Sequence, residues 1–218
     1  TESETARCLV PLPTKSERLW PVPGEMTYIQ LGLSGLSMGE SGLLIGPDGR
    51  LVLFDAGNNS HDDDIRSLLN QVIAKMNATP GFATRQLDTL DEVIVTHYHA
   101  DHVDGLQDLL SKVTLKGRVI SRGLFDITGA VETKSVAAFC ETLAGLPASS
   151  SLALCEGAVP APCTLSGTNE YPASACNGLM AGNLESSGDS GRAYLALGAT
   201  TRIEFLAVNG RTATHGYE

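Results

Sequence analysis

Residues 95–105, VTHYHADHVDG, hold three of the chain's five histidines and two carboxylates. Residues two apart on a strand point to the same side, so His97 and His99 can aim both imidazoles at one point. The chain then turns into a helix, which brings Asp101 and His102 to the same place from a second direction. Imidazole and carboxylate groups together suit a borderline metal such as Zn²⁺, with Fe or Mn as alternatives. The spacing therefore predicts a metal site rather than a chance cluster of histidines.

The elements around this motif indicate how it is held. An apolar strand over 90–97 carries the first two histidines and gives the ligands a rigid support. A short helix over 103–113 and a further strand over 117–123 follow it. This alternation of strand, helix and strand is typical of an α/β layer architecture.

Upstream of the motif, the sequence predicts a strand, a hairpin and a helix. The strand covers 27–33, and the hairpin covers 42–57, where two apolar runs flank a Pro-Asp-Gly turn. The helix covers 61–78, in which apolar residues recur at helical spacing. Three aspartates at 62–64 lie where the helix dipole favours carboxylates, which explains them without a bound cation. His61, just ahead of them, is expected at the surface.

The remaining segments are less regular. Residues 1–26 are rich in proline and are expected to form an N-terminal arm. A loop-rich insertion is predicted over about 125–191, with one helix over 131–146 and a long stretch of Ser, Gly, Ala and Pro after it. Periodicity returns in a predicted hairpin formed by 192–198 and 202–210.

The cysteines bear on the compartment. There are five, and none forms a CxxC pair, so a zinc ribbon is not indicated. Four lie within the predicted insertion, which can bury little apolar surface, and disulfides would compensate by restricting its unfolded freedom. We therefore expect a secreted or periplasmic protein with one or two disulfides, the alternative being buried thiols in a cytosolic chain. The odd count leaves one cysteine free or paired with another chain.

Charge and hydropathy exclude several classes of protein. With 42% hydrophobic residues the chain can pack a core, so global disorder is excluded. The formal net charge of −10 argues against a surface that coats nucleic acid, because phosphate binding needs a basic face. No run of about twenty apolar residues exists, so no membrane span is expected. A small anionic substrate held by a metal remains compatible with this charge.

The motif THYHADHVDG at 96–105 resembles the HxHxDH signature of the metallo-β-lactamase fold. In that family a hairpin ending in a D-x-G turn precedes the signature, and FDAG at 54–57 stands in that place. The loop MGESGLLI at 38–45 is similar to the branch related to competence-protein hydrolase domains and phosphorylcholine esterases. The resemblance implies a single domain over 27–218, built as the N-terminal half to two-thirds of an αββα sandwich.

The same resemblance implies a role for each residue of the motif. His97 and His99 would bind a first zinc ion, and Asp101 and His102 a second. Asp55, in the D-x-G turn, would lie under the site and hold it by hydrogen bonds.

Other ligands of this family are harder to find in the chain. A complete site also needs a third histidine, a bridging aspartate and a last histidine. His215 follows a predicted strand at the place expected for the third histidine, whereas Asp189 matches the bridging position only superficially. No candidate for the last histidine is present. We therefore expect a second chain, produced from the same precursor by proteolytic processing, to carry the rest of the fold.

The implied chemistry is hydrolysis. Two cations about 3.5–4 Å apart can share a hydroxide that attacks the substrate, and Asp101 would orient it. The expected function is a metal-dependent hydrolase acting on a small-molecule ester, with a phosphodiester-type substrate favoured. One alternative is an amide, lactone or thioester hydrolase of the same fold. Another is a non-catalytic binding module that retains half of a metal site.

Overall fold

The structure is a computed structural model of the chain, and it describes residues 21–33, 39–123, 133–154, 185–186, 193–205, 207–208 and 211–212. The strands are β1 (Thr27–Gln30), β2 (Gly42–Ile45), β3 (Leu51–Phe54), β4 (Thr89–Leu90), β5 (Glu92–Val95), β6 (Thr114–Leu115), β7 (Val119–Ser121), β8 (Ser151–Ala153), β9 (Glu185–Ser186), β10 (Ala193–Ala196), β11 (Arg202–Glu204), β12 (Ala207–Val208) and β13 (Arg211–Thr212). The helices are α1 (Asp62–Asn77), α2 (Ala100–Val103), α3 (Leu106–Lys112) and α4 (Thr133–Ala144), with a 3-10 turn at Ala148–Ser150.

A six-stranded mixed sheet forms the centre of the molecule. Its order is β1-β2-β3-β5-β7-β8, in which β1, β2 and β3 run antiparallel and β3, β5, β7 and β8 run parallel. Each parallel step is made through helices, so the carboxyl ends of the four parallel strands meet at one edge of the sheet. Ligand sites of open α/β sheets lie at this edge, and the histidine motif begins there, directly after β5.

Each face of the central sheet packs against its own layer. One face packs against the helices, and α1 presents a continuous apolar stripe to it. The buried residues of that stripe are Ile65, Leu69, Val72, Ile73 and Met76. The other face packs against a three-stranded sheet of order β11-β10-β9, through Leu195 and Leu197. The described residues therefore form an α-β-β stack, which agrees with the α/β class and with part of the expected αββα sandwich.

Most predicted elements are confirmed. The hairpin over 42–57 is the β2–β3 pair, and the helix over 61–78 is α1. The hairpin predicted at 192–210 is present as the antiparallel pair β10–β11, in which Tyr194 faces Glu204. Of the predicted arm, 1–20 lies outside the described residues.

The predicted helix over 103–113 is present as α3, and a separate one-turn helix, α2, precedes it. Gly105 lies between the two, where its N–H donates to the carbonyl of Gly57 over 3.1 Å. A Cβ at Gly105 would lie 2.3 Å from the carbonyl oxygen of Ala56. The two helices are separate because the chain passes here directly against the loop that follows β3.

Part of the predicted insertion belongs to the central layers. Strand β8 pairs in parallel with β7, and Leu152 and Leu154 are buried on the face that meets the small sheet. Helix α4 packs on the opposite face through Val136 and Phe139. Residues 133–154 are thus a further helix and strand of the sheet rather than an insertion. The cysteine-rich stretch 155–184 lies outside the described residues.

Candidate metal centre

Strand β5 delivers the motif to the carboxyl edge of the sheet. The chain stays extended to His99, which precedes α2 with φ −70° and ψ 150°. The N–H groups of His102 and Val103 then donate to the His99 carbonyl, over 3.0 and 3.1 Å, and close the first turn of α2. A strand end and a one-turn helix therefore present the motif from two directions, as its spacing predicts.

The three imidazoles of the motif converge. The ring centroids of His97 and His102 are 3.8 Å apart, and those of His97 and His99 are 4.6 Å apart. The carboxylate of Asp101 approaches from α2, with Oδ2 3.6 Å from Nε2 of His102. One ligand atom from each of Asp55, His97 and His102 lies within 4.8 Å of the other two. The structure thus groups Asp55, His97 and His102 closely enough to share one ion. The His99 ring lies against His97 and the Asp101 carboxylate lies near His102, outside that group of three.

Asp55 sits beneath the imidazoles in an unusual backbone conformation. Its φ of 56° is in the left-handed region, which aspartate tolerates better than most residues. Both carboxylate oxygens are engaged: Oδ1 accepts from the N–H of Thr96 over 2.8 Å, and Oδ2 accepts from the Thr96 hydroxyl over 2.6 Å. Oδ2 also lies 2.9 Å from Nδ1 of the buried His102. These bonds suit a residue that orients metal ligands.

The hydrogen bonds of Asp55 are compatible with one metal-binding tautomer of each of two histidines. If His102 donates from Nδ1 to Asp55, its Nε2 keeps a lone pair for a metal. The Thr96 hydroxyl gives its proton to Asp55, so its oxygen can accept from Nδ1 of His97, 3.0 Å away. Nε2 of His97 then also keeps its lone pair. Thr96, which the sequence analysis did not identify, thus links one carboxylate to a second imidazole.

The protonation of His97 favours metal binding. Burial lowers the pKa of His97 below its ordinary value, and the neighbouring His102 and His99 lower it further. The nearby carboxylates of Asp55 and Asp101 act in the opposite direction. The neutral imidazole is the form that binds metals.

Backbone hydrogen bonds connect the loop after β3 to α2. The N–H of Ala56 donates to the His102 carbonyl over 2.7 Å, and the N–H of Glu40 donates to the Asp101 carbonyl over 2.9 Å. The N–H of Gly57 donates in turn to the Glu40 carbonyl over 3.1 Å. Three segments that are distant in sequence are therefore fixed to one another around the imidazoles.

The donor set fits a borderline metal such as zinc. Three imidazoles and the Asp101 carboxylate are grouped, and Asp55 and Thr96 orient two of the rings, as outer hydrogen bonds do at metal sites. Their individual roles as ligands stay predictions. His215 and Asp189 lie outside the described residues, so their predicted roles also stay predictions.

Residues 38–139 match the profile of the metallo-beta-lactamase superfamily. This segment covers β2 to α4 and includes Asp55 and the whole histidine motif. The segment is therefore similar to the metallo-β-lactamase superfamily, and it corresponds to part of that fold.

Curated relatives share the same region. Endoribonuclease ysh-1 of Neurospora crassa is 30% identical over 95 residues, which cover 44% of this chain and 10% of the relative. Endoribonuclease ysh1 of Schizosaccharomyces pombe is 30% identical over 94 residues, which cover 43% and 11%. The chain thus spans about a tenth of the length of these relatives.

Solved structures give partial matches. A metallo-β-lactamase of Cronobacter sakazakii with a HARLDQ motif matches with a TM-score of 0.27 and 24% identity, over 40% of this chain and 30% of that one. MEM-A1, a subclass B3 enzyme from a soil metagenome library, matches with a TM-score of 0.34 and 17% identity, over 62% and 45%. The similarity to the superfamily is carried by the match over residues 38–139 and not by these partial structural matches.

Proposed function

We propose that this chain is part of a metal-dependent hydrolase with a zinc centre at the carboxyl edge of its parallel strands. The observation that carries the proposal is the use of one carboxylate, Asp55, to orient both His102 and, through Thr96, His97. Such a bond network leaves the Nε2 lone pair of each ring free for a metal. A group of histidines with a purely structural role would not require this network.

Each residue of the site has a distinct task in this proposal. His97 and His99 would hold one zinc ion, and Asp101 and His102 would hold a second. When bound, zinc would act as a Lewis acid and lower the pKa of a coordinated water towards about 7. Asp101, on the first turn of α2, would orient the attacking water. Asp55 holds the rings in the correct tautomers throughout.

We further propose that the remaining ligands come from outside the described residues. His215 is the candidate for the third histidine, and a second chain is the candidate source of the rest. Co-purification of a companion polypeptide, identified by intact mass and N-terminal sequencing, would support this. A single species of 22.9 kDa that holds metal at full activity would contradict it.

The proposed bond to be cleaved is a phosphodiester. The two fungal relatives are named endoribonucleases, and the bond that joins RNA nucleotides is a phosphodiester. RNA, however, is a polymer and does not fit the small ester expected from the sequence. The net charge of −10 opposes binding of a long polyanion. We therefore propose that the substrate is a phosphodiester. The experiment below distinguishes a small phosphodiester from an RNA.

The test combines elemental analysis with a substrate panel. Purified protein is assayed for bound metals and then with bis-nitrophenyl phosphate, a phosphocholine ester, a short RNA, a lactone and a cephalosporin. We expect zinc to co-purify and the phosphodiesters to be cleaved. Cleavage of the lactone or the cephalosporin alone would overturn the proposed substrate class. Absence of metal and of all activity would favour a non-catalytic module.

A variant pair sharpens this test. His99→Ala should lose metal and activity while it keeps most of the fold, because His99 is exposed at the strand end. Gln71→Ala, an exposed change on α1, serves as the control and should keep both. Full activity of His99→Ala would contradict the metal-hydrolase proposal.

We also propose that the chain is exported and contains disulfides. Cys140 is buried in α4, and a disulfide formed by it would persist in an oxidising compartment. Titration of free thiols in denaturant, with and without reductant, measures this directly. Five free thiols without reductant would contradict the proposal.

A further inference from the structure

His61 is buried, although the sequence analysis places it at the surface. Its residue exposure is 0%, and it lies just ahead of α1, where its carbonyl accepts from the N–H of Ile65. Its Nδ1 accepts a hydrogen bond from the N–H of Asn58 over 3.0 Å. With Nδ1 as the acceptor, the ring carries its proton on Nε2. That second nitrogen has no hydrogen-bond partner in the part of the chain that the structure describes.

The imidazole of His61 fills the space beside two glycines. A Cβ at Gly39 would lie 2.5 Å from Nδ1 of His61, and a Cβ at Gly57 would lie 2.8 Å from the same atom. Gly57 also has a φ of 64°, which favours glycine. The two loops that carry these glycines, before β2 and after β3, therefore close directly on the ring.

Both loops continue into the candidate metal centre. Gly57 donates to the Glu40 carbonyl, and Glu40 donates to the Asp101 carbonyl. The Gly57 carbonyl accepts from Gly105, at the junction of α2 and α3. The loop after β3 thus contacts His61 through Gly57, and it is hydrogen-bonded through Glu40 to the segment that carries Asp101.

We propose that His61 is a positioning residue that fixes the loop 55–58, and through it Asp55 and α2. The expected effect of His61 on metal affinity rests on the proposed function. The imidazole acts through its Nδ1 acceptor, which fixes the N–H of Asn58, and through its shape, which spaces the two glycine loops. An unpartnered Nε2–H in the interior is costly, so the fold accommodates this side chain at an energetic cost.

Two substitutions separate the acceptor from the bulk of the side chain. His61→Leu keeps a similar volume but leaves the Asn58 N–H without an acceptor. His61→Asn keeps an acceptor, because its Oδ1 can take the place of Nδ1. If His61→Leu does not fold, His61→Gln replaces it, since the Gln oxygen corresponds to Nε2 and not to Nδ1.

The first measurement is amide hydrogen exchange in the metal-free protein. We expect His61→Leu to speed the exchange of the Ala56 and Gly105 amides by about tenfold relative to wild type, and His61→Asn to restore most of the protection. Val72→Ala, a core change in α1, is the control for general destabilisation. Equal acceleration in Val72→Ala and His61→Leu, at matched stability, would overturn the inference.

The second measurement is zinc affinity by competition with a chromophoric chelator. We expect His61→Leu to bind zinc about tenfold more weakly, as outer contacts of metal sites do when removed, with His61→Asn close to wild type. Unchanged affinity in His61→Leu would overturn the inference. A wild-type protein that binds no zinc would instead contradict the proposed function, and the exchange measurement alone would then decide the role of His61.

Discussion

Two aspartates, Asp55 and Asp88, share a backbone conformation that is uncommon outside glycine. Their φ angles are 56° and 55°, and each carboxylate accepts several hydrogen bonds that hold it there. Asp55 is held by Thr96 and lies against His102, at the candidate site. Asp88 is remote from the motif and is held by α1. The same backbone conformation therefore occurs at the candidate site and away from it. Substituting each aspartate in turn separates an effect on the candidate site from a general effect on the fold.

We expect Asp55→Asn to weaken zinc binding by about 10–100-fold with little loss of fold. Asparagine tolerates the left-handed region as aspartate does, but its side chain has a single acceptor oxygen. It cannot accept all the bonds that orient His102 and Thr96. Chelator competition measures the affinity, and circular dichroism checks the fold.

Asp88→Asn is the matched control and should leave zinc affinity unchanged. An equal loss of affinity in both variants would show that the effect comes from general destabilisation and not from ring orientation. Unchanged affinity in Asp55→Asn would remove the orienting role of Asp55.

At the residue scale, sequence reasoning identified the groups whose relation is local. The spacing of His97, His99 and His102 within one strand end and one turn is sufficient to predict that they converge. The role of Thr96 depends on a hydrogen bond to a residue 41 positions away, which periodicity does not encode. The burial of His61 depends in the same way on two glycine loops that close over it. In the sequence, His61 only follows Gly57 by four residues, and this spacing does not distinguish a buried ring from an exposed one.

At the element scale, α1 is attached to the chain beyond it through Asp88. Nε of Arg66 donates to the carboxylate over 2.7 Å, Nη2 over 2.9 Å, and Nδ2 of Asn70 over 2.6 Å. The N–H of Asp88 also donates to Asn70. Hydrogen bonds from Arg66 and then Asn70 lower the pKa of the Asp88 carboxyl below its ordinary value. The helix is thus fixed to the segment that leads into β4.

This attachment predicts a pH-dependent stability difference. Because the folded-state pKa of Asp88 is lowered, its carboxylate stabilises the fold above the unfolded pKa of about 3.9, and this is lost as pH falls through the folded pKa. We therefore expect the melting temperature of the wild type to exceed that of Asp88→Asn at pH 7. The two melting temperatures should converge under strongly acidic conditions. Thermal melts across this range measure it. A difference that is the same at acidic and neutral pH would contradict the charge-based explanation.

Elements were predictable where their own periodicity defines them. Helix α1 carries its apolar stripe in its sequence, and the β2–β3 hairpin is marked by its turn. Strand β8 has only three residues within an Ala- and Ser-rich stretch, so its pairing with β7 was not apparent. The break at Gly105 arises from close approach of another segment, which no local pattern reveals.

At the scale of the whole molecule, the central sheet is covered on both faces by different layers. The small sheet meets it through Leu195 and Leu197, and Nη1 of Arg50 donates to the Ala196 carbonyl over 2.8 Å. Within the described residues, no helix is long and apolar enough to cross a bilayer. The helices pack against one side of the sheet and carry part of the candidate metal centre, and the small sheet closes the core on the other side.

This arrangement makes the small sheet a structural part of the domain, which one substitution tests. Leu197 has an exposure of 0% in the core between the two sheets, and its N–H donates to the Thr201 carbonyl over 2.8 Å. We expect Leu197→Ala to lower the free energy of unfolding by about 2–5 kcal/mol, because it removes buried methyl groups and leaves a cavity. Leu87→Ala, at a position 54% exposed, is the control and should change it by less than about 0.5 kcal/mol. Urea unfolding should show one transition in both variants. A separate early transition in Leu197→Ala, with the main one unchanged, would mean that the small sheet does not support the layer that carries the site.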